Sequence, residues 1–228
     1  SENVGTEDIV IPRLEIIQAL SPAVKPGDSG YIEGAKPGTL TNSVTKQLYG
    51  NTVLLVPVYY SKQWLVWKKR KTPEGKALEG GFFGAYPSPE EAQTRADAEG
   101  GEKAYIEVID TPQHLCLLID PNRGTVDEVM LSMPRTKAKI SRQWNSMVKL
   151  AGGDRFARVY RVGVNLEKNA KGDFYNYSIA QSGFPVLPLY KRAEALYESI
   201  QSGKRAYTMD TSGLDPDADP GTGHNEEM

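Results

Sequence analysis

The residues most able to carry chemistry in this chain lie in one stretch, Arg135 to Lys171, which holds ten Lys and Arg against two acids. Three aromatic residues, Trp144, Phe156 and Tyr160, lie among these charges. Positive side chains follow a phosphate backbone, and an exposed aromatic ring offers a face on which an unpaired base stacks. The stretch is therefore typical of a surface that binds single-stranded nucleic acid.

A second basic and aromatic cluster lies upstream, where Trp64 and Trp67 are followed directly by four basic residues, 68–71. Side chains alternate along a strand, so two tryptophans three residues apart point to opposite faces. At least one of them then contacts something outside a single core, namely another element, a second subunit or a base. The candidate nucleic-acid-binding residues are Trp64, Trp67, Lys68, Lys69, Arg70, Arg135, Lys137, Lys139, Arg142, Trp144, Arg155, Phe156, Arg158, Tyr160 and Arg161.

The same aromatic residues also have a structural interpretation. Helical spacing groups Trp144 with Ile140 and Val148 in one apolar stripe, which favours a place in the core for this tryptophan. Strand alternation puts Phe156 and Tyr160 on a common face that points either to the core or to nucleic acid. Both interpretations stay open at the level of the sequence.

Groups typical of enzymes are scarce. The chain has two histidines and one cysteine, and it lacks the glycine-rich phosphate-binding and nucleophile-elbow motifs. We therefore predict a non-enzymatic protein with no catalytic residue, no metal site and no cofactor. A Mg²⁺-dependent nuclease is the least favoured alternative, since acids on neighbouring strands can converge on a metal. Its candidate ligands are Glu107, Asp110, Asp120, Asp127 and Glu128.

Charge is segregated along the chain, although the net charge is only −2. Residues 1–8 hold three acids and residues 209–228 hold six, with no Lys or Arg in either segment. Residues 9–208 therefore carry 27 Lys and Arg against 20 Asp and Glu, a net charge of +7. We predict that the acidic tail is disordered. It is either a solubilising end or a segment that competes for the basic surface and docks partner proteins.

The composition predicts a cytoplasmic protein. A single cysteine, Cys116, excludes an intramolecular disulfide, and its apolar surroundings predict a buried, inert thiol. We find no apolar run close to the ~18 residues of a membrane span and no signal peptide, and we expect no membrane partner.

Several strands must position the candidate residues. TVLLVPVYY and QWLVWKK predict a hairpin that turns at residues 61–62, with Pro57 marking an edge or a bulge. AYIEVID, HLCLLID and EVMLSM predict a three-stranded meander with a turn at residues 111–112. RFARVYRVGVNLE and DFYNYSIAQ predict a second hairpin, which carries Arg155 to Arg161.

Helices complete the prediction. We expect a short polar helix opened by Ser88 or Pro87, a helix from about Pro134 to Ala151 capped by Ser132, and one from about Leu187 to Gln201. The predicted fold is α+β, a single antiparallel β-rich domain with two main helices, either OB-like or a divergent sheet fold. The predicted segments are a flexible N-terminus (1–8), the nucleic-acid-binding domain (9–208) and the disordered acidic tail (209–228).

Several stretches resemble single-stranded-DNA-binding proteins of tailed bacteriophages. They are IPRLEIIQALSPAVKPG, AKPGTLTNSVTKQLYG, VLLVPVYYSKQWLVWKKR and KISRQWNSM, within a similarity that spans roughly residues 10–205. The resemblance implies an OB-type barrel, as in many such proteins, and an acidic tail that contacts replication proteins and is displaced by DNA. It includes a podovirus group that serves a phage RNA polymerase as a DNA-binding cofactor. A host-cytoplasmic role in phage replication or transcription is thereby implied.

A second hypothesis assigns the same exposed aromatic residues to contacts with a different partner. In it, the chain is a phage structural or assembly protein whose aromatic patches are subunit contacts, and homo-oligomer formation is left open. Phosphate contacts release counterions and hydrophobic contacts do not, so a steep salt dependence of DNA affinity separates the two hypotheses.

Overall fold

The computed structural model describes residues 10–169, 172–206 and 208–211. Antiparallel pairing dominates this part of the chain, with helices packed on the sheets. The strands are β1 Val10–Ile11, β2 Leu14–Ile16, β3 Leu40–Asn42, β4 Leu48–Gly50, β5 Thr52–Lys68, β6 Gly81–Tyr86, β7 Ile106–Asp120, β8 Thr125–Ser132, β9 Val159–Asn169, β10 Gly172–Gly183 and β11 Thr208–Met209. The helices are α1 Pro89–Ala98, α2 Lys137–Ala151 and α3 Leu187–Gln201.

Two long strands, β5 and β7, form the spine of the six-stranded central sheet. The sheet runs in the order β10-β9-β5-β7-β8, and β6 pairs with the distal part of β5. The predicted turns at residues 61–62 and 111–112 are wrong, because β5 and β7 each continue through these positions as one uninterrupted strand. Lys62 is paired with Pro112, so the two segments lie opposite each other in one ladder. Neither contains the Gly or Asn that a two-residue hairpin favours.

Pro57 marks a bulge, as its position within an apolar strand predicts. The register between β5 and β7 shifts between Pro57 and Tyr59, which bends the strand and leaves one residue unpaired. The hairpin of β9 and β10 is confirmed from Val159 onwards, and the pairing of β8 with β7 is confirmed as well. The prediction is wrong for Arg155–Ala157, which form a 3₁₀ helix before β9 and not the start of the strand.

Both faces of the central sheet are covered, as the alternation along β5 makes clear. Val53 and Leu55 belong to one buried cluster, whereas Val56 belongs to another that also packs against Leu54. The first cluster includes Trp144 of α2 and residues of the small sheet β2–β3–β4, and the second includes residues of α3. We call these the α2 face and the α3 face of the sheet.

The distal part of the sheet has separate small clusters. Trp64 packs with Val66 against α1, and Trp67 packs with Leu65 and Ile109 on the opposite face. The prediction that the two tryptophans lie on opposite faces is confirmed.

The α+β class is confirmed, as are the short polar helix, α1, and the two main helices, α2 and α3. α2 begins at Lys137 rather than Pro134, since Ser132 still belongs to β8 and Arg135 has a positive φ of 53°. The central sheet is an open path whose end strands β10 and β8 do not pair. An open sheet of this strand order agrees with the divergent-sheet alternative.

The predicted tail begins too early. Met209 lies in β11, which pairs in parallel with β1, and Asp210 is buried. The Asp210 carboxylate accepts a hydrogen bond from Ser43 Oγ at 2.5 Å and lies 3.9 Å from the Arg13 guanidinium. The rest of the tail, 212–228, and residues 1–8 lie outside the described residues.

Candidate nucleic-acid interface

Four of the five aromatic residues proposed to stack on bases are buried. Trp144 and Tyr160 are 0% exposed, Trp67 is 3% and Phe156 is 4% exposed, while Trp64 is half-buried against α1. A ring enclosed by side chains presents no face to a base, so the prediction of base stacking is corrected for these four. The core interpretation of Trp144 is the one that holds.

Trp144 instead forms the centre of an aromatic cluster beneath α2. Its indole stacks on His114 with ring centroids 4.5 Å apart, and Tyr160 meets it edge-on at 5.6 Å. His114 Nε2 lies 2.8 Å from Ser141 Oγ of α2, in a hydrogen bond. Burial, with a smaller effect of the Arg155 charge, lowers the pKa of His114 to about 3, so the imidazole is neutral at pH 7.

Arg155 belongs to the same cluster rather than to the surface. Its guanidinium lies over the Tyr60 ring at 5.3 Å, and Nη2 donates to Asn145 Oδ1 at 2.6 Å. Desolvation lowers the pKa of this arginine and raises that of the Cys116 thiol, which is fully buried. The prediction of a buried, inert Cys116 is confirmed, and Arg155 has an internal role.

Two further candidate cations are joined in ion pairs around one carboxylate. Lys69 Nζ lies 3.7 Å from Glu107 of β7, and Arg135 also pairs with Glu107. These pairs tie the end of β5 to the segment before α2. Of their neighbours, Arg70 is exposed, while Lys68 and Lys137 are half-buried.

The outward side of α2 carries three exposed cations. Lys139, Arg142 and Lys149 are exposed and lie on the side opposite Trp144, as positions three and seven apart require. α2 contains no acid, and it has no acidic residue in its first turn. A helix N-terminus repels cations through its partial positive charge, so Lys139 is placed against the preference of the helix. We call Lys139, Arg142 and Lys149 the α2 cationic face.

An exposed aromatic residue missed in the sequence lies at the far end of α2. Phe184 is 69% exposed, and the Arg158 guanidinium lies 4.5 Å from its ring centroid. Arg158 Nη2 also donates to the carbonyl of Ala151, the last residue of α2, at 3.3 Å. We call the pair of Arg158 and Phe184 the Phe184 stack. The available signal was an aromatic residue in GFPVLP, beside Pro185 in the short segment between strand and helix.

The remaining candidate, Arg161, is exposed on β9. It lies opposite Leu54 of β5, and it therefore points to the α3 face of the sheet. Arg161 is thus separated from the α2 cationic face by the sheet.

The five acids considered for a nuclease engage different partners. Glu107 binds Lys69 and Arg135, and Asp110 binds Lys62. Asp120 accepts hydrogen bonds from backbone amides after β7, Asp127 accepts one from Thr125, and Glu128 pairs with Arg205. Within the described ranges, no group of three or more His, Cys, Asp or Glu could hold a metal ion.

A family model described as Pam3 phage gp34-like protein matches residues 1–206, which include both the α2 cationic face and the Phe184 stack. The chain belongs to the Pam3 phage gp34-like protein family. The phage origin implied by the resemblance is thereby confirmed. No curated protein and no solved structure matches the chain.

Membrane insertion through a helix finds no support in this gp34-like protein. Each helix in the part of the chain that the structure describes is too short or too polar to cross a bilayer.

Proposed function

We propose that this phage protein is a non-enzymatic single-stranded-DNA-binding protein that contacts phosphates along the α2 cationic face. The observation that supports this is three exposed cations on the outer side of a helix without acids, of which Lys139 lies in the first turn, against the helix dipole. Residues that cost helix stability and touch nothing in the core are candidates for contact with a partner. A backbone polyanion has the complementary charge.

The Phe184 stack supplies one base-stacking platform at the end of this face. Arg158 covers one side of the ring, and the 69% exposure leaves room for a base on the other. Base–aromatic stacking contributes roughly 1–3 kcal/mol per base. The 15-residue helix is roughly 22 Å long, so a strand that follows it meets several cations before it reaches Phe184.

In this proposal the protein protects single strands during phage replication, or helps a phage polymerase to open promoters, in the host cytoplasm. DNA rather than RNA is taken from the resemblance to phage single-stranded-DNA-binding proteins. The acidic residues of 212–228 compete with DNA for the α2 cationic face or dock the replication or transcription partner.

The test is fluorescence anisotropy with labelled oligo-dT and a duplex of equal length, each at two salt concentrations. We expect salt-sensitive binding that prefers the single strand and weakens in Phe184→Ala and in Arg142→Gln. Arg95→Gln in α1 is the matched control and should bind like wild type. Absence of binding to either probe at low salt would refute the proposal.

A second candidate function is phage assembly, and a specific observation favours it. Exposed apolar side chains lie at the end of α2 and before and within the start of α3, including Leu150 at 87% exposure. The others are Phe184, Val186 and Leu187. Sedimentation velocity over a concentration series tests this: self-association that Leu187→Ser abolishes, together with no DNA binding, would favour subunit contacts over nucleic acid.

A further inference from the structure

A depression of about 210 Å³ lies where β9, β10 and the start of β5 meet. It is lined by Asn51, Thr52, Arg161, Gly163, Val164, Asn165, Ser178, Ile179 and Ala180. Thr52 pairs with Gly163 and Ser178 pairs with Gly163 from the other side, so three strands contribute to it. It opens on the α3 face and is therefore separate from the α2 cationic face.

The depression exists because position 163 has no side chain. A Cβ built on Gly163 would lie 2.9 Å from Ser178 Oγ and 3.7 Å from Thr52 Oγ1. The backbone of Gly163 does not have the positive φ that favours glycine, so conformation does not account for the residue. The missing side chain instead lets a ligand approach the backbone between two hydroxyl groups.

The lining chemistry suits an anion. Arg161 supplies a permanent positive charge, and Thr52, Ser178 and Asn165 supply neutral hydrogen-bond donors. No acid lines the depression, and Arg161 has no ion pair with any of the described residues. A guanidinium binds phosphate oxygens through parallel N–H groups, which a hydroxyl pair then supplements.

The size narrows the class further. Pockets for drug-sized ligands usually hold about 300–1,000 Å³. About 210 Å³ suits a phosphate group with its attached sugar better than a whole nucleotide held by its base. An aromatic stacking partner for a base is also missing from the lining.

We propose that the Arg161–Gly163–Ser178 depression binds a phosphate group, as phosphate alone or as the phosphate of a nucleotide or nucleic-acid strand. Arg161 contacts the phosphate oxygens, Ser178 and Thr52 donate to them, and Gly163 allows their close approach. The site stands independently of DNA binding along α2.

The test follows the ¹⁵N amide resonances of Gly163 and Ser178 while inorganic phosphate, thymidine monophosphate or thymidine is added at constant ionic strength. Phosphate and the monophosphate should shift both resonances saturably, and thymidine should not. Arg161→Gln should weaken the binding at least about tenfold, since it removes a charge-assisted hydrogen bond. Gly163→Ala should weaken it too, and Arg192→Gln on α3 should leave it unchanged.

A dodecamer of dT identifies the source of the phosphate. Saturation at a far lower concentration than the monophosphate indicates a strand, and equal affinity indicates a free phosphate; both outcomes support the site. Equal shifts from thymidine, no shifts from any probe, or shifts unchanged in Arg161→Gln overturn it. Loss of DNA binding along α2 with the phosphate shifts retained would refute the proposed function and leave this site standing.

Discussion

Helices α1 and α2 differ in the residues at their N-cap and in their first turn. In α1, Ser88 Oγ accepts a hydrogen bond from the Glu91 amide at 3.2 Å, and the Glu91 carboxylate lies 3.3 Å from the same hydroxyl. In α2, Thr136 makes no side-chain cap, and Lys139 takes the place that Glu91 has in α1. The first helix therefore has a side-chain N-cap and acids in its first turn, and the second has neither.

The difference shows where each helix obtains its stability. α1 packs on the sheet through two buried alanines, Ala92 and Ala96, so its caps and charges matter. α2 buries Trp144 and Ser141 in an aromatic cluster with His114. This packing stabilises α2 enough to offset the unfavourable charge of Lys139 in its first turn. The outer side of α2 can therefore carry cations that contact a partner.

Trp144→Ala should have the largest effect, because it removes the side chain on which α2 rests. We expect a loss of about 3–5 kcal/mol in the free energy of unfolding, measured by urea denaturation. Lys149→Ala on the outer side of the same helix should stay within about 0.5 kcal/mol of wild type. A stable Trp144→Ala protein with weakened DNA binding would instead make Trp144 a base contact.

Replacement of Lys139, Arg142 and Lys149 by Gln should remove the α2 cationic face without touching the core. Each phosphate contact with a single strand contributes about 0.7 to the slope of log affinity against log salt. The slope of oligo-dT binding should therefore become less negative by about 2, with affinity lost mainly at low salt. An unchanged slope would place the DNA elsewhere.

Acidification should weaken the packing of α2 on the sheet, because His114 contacts Trp144 and Ser141 of this helix. Its pKa is about 3 in the folded chain and 6.5 in the unfolded chain, so the unfolded state takes up the proton first. The contribution of His114 to the free energy of unfolding is complete above about pH 6.5. It falls towards pH 3 by up to about 1.4 kcal/mol per pH unit.

Urea titrations of wild type and His114→Gln between pH 7 and pH 4 measure this difference. Carboxylates titrate alike in both proteins and cancel. Parallel curves would contradict the prediction, as would loss of amide protection in α1 before α2.

Charge reversal at Lys139 of α2 and at Glu91 of α1 should change the free energy of unfolding by small amounts of opposite sign. Lys139→Glu should stabilise the protein by about 0.3–1 kcal/mol, because an acid suits the first turn of a helix, while weakening oligo-dT binding. Glu91→Lys should destabilise α1 by a similar amount and leave DNA affinity unchanged. A shift of both variants in the same direction would contradict a helix-dipole effect at these two positions.

Truncation after residue 211 should have the smallest effect. Five acids are removed while the buried Asp210 and its contact with Ser43 remain. Less competition for the α2 cationic face should tighten oligo-dT binding a few-fold at low salt, and the effect should vanish at high salt. Equal affinity in anisotropy titrations at low salt would leave the tail as a solubilising or partner-docking segment.

Local patterns were sufficient for much of the fold. The helix predicted from Leu187 to Gln201 is confirmed as α3, and the helix predicted to open near Ser88 is confirmed as α1. The apolar stripe also predicted that Trp144 faces the core. These features depend on interactions between residues close in sequence, which a single chain displays directly.

The sequence by itself determined that the body of the protein is basic, that the cations concentrate after β8, and that antiparallel strands alternate with a few helices. Only the tertiary structure decided which of those groups face solvent. The rings of Phe156 and Tyr160 enter different clusters because Phe156 lies in a 3₁₀ helix before β9, whereas Tyr160 lies on β9 itself. Arg158 and Phe184 meet because β9 and β10 pair, over a separation that no local pattern records. Exposure depends on contacts between distant segments, so chemistry was visible in the sequence and its accessibility was not.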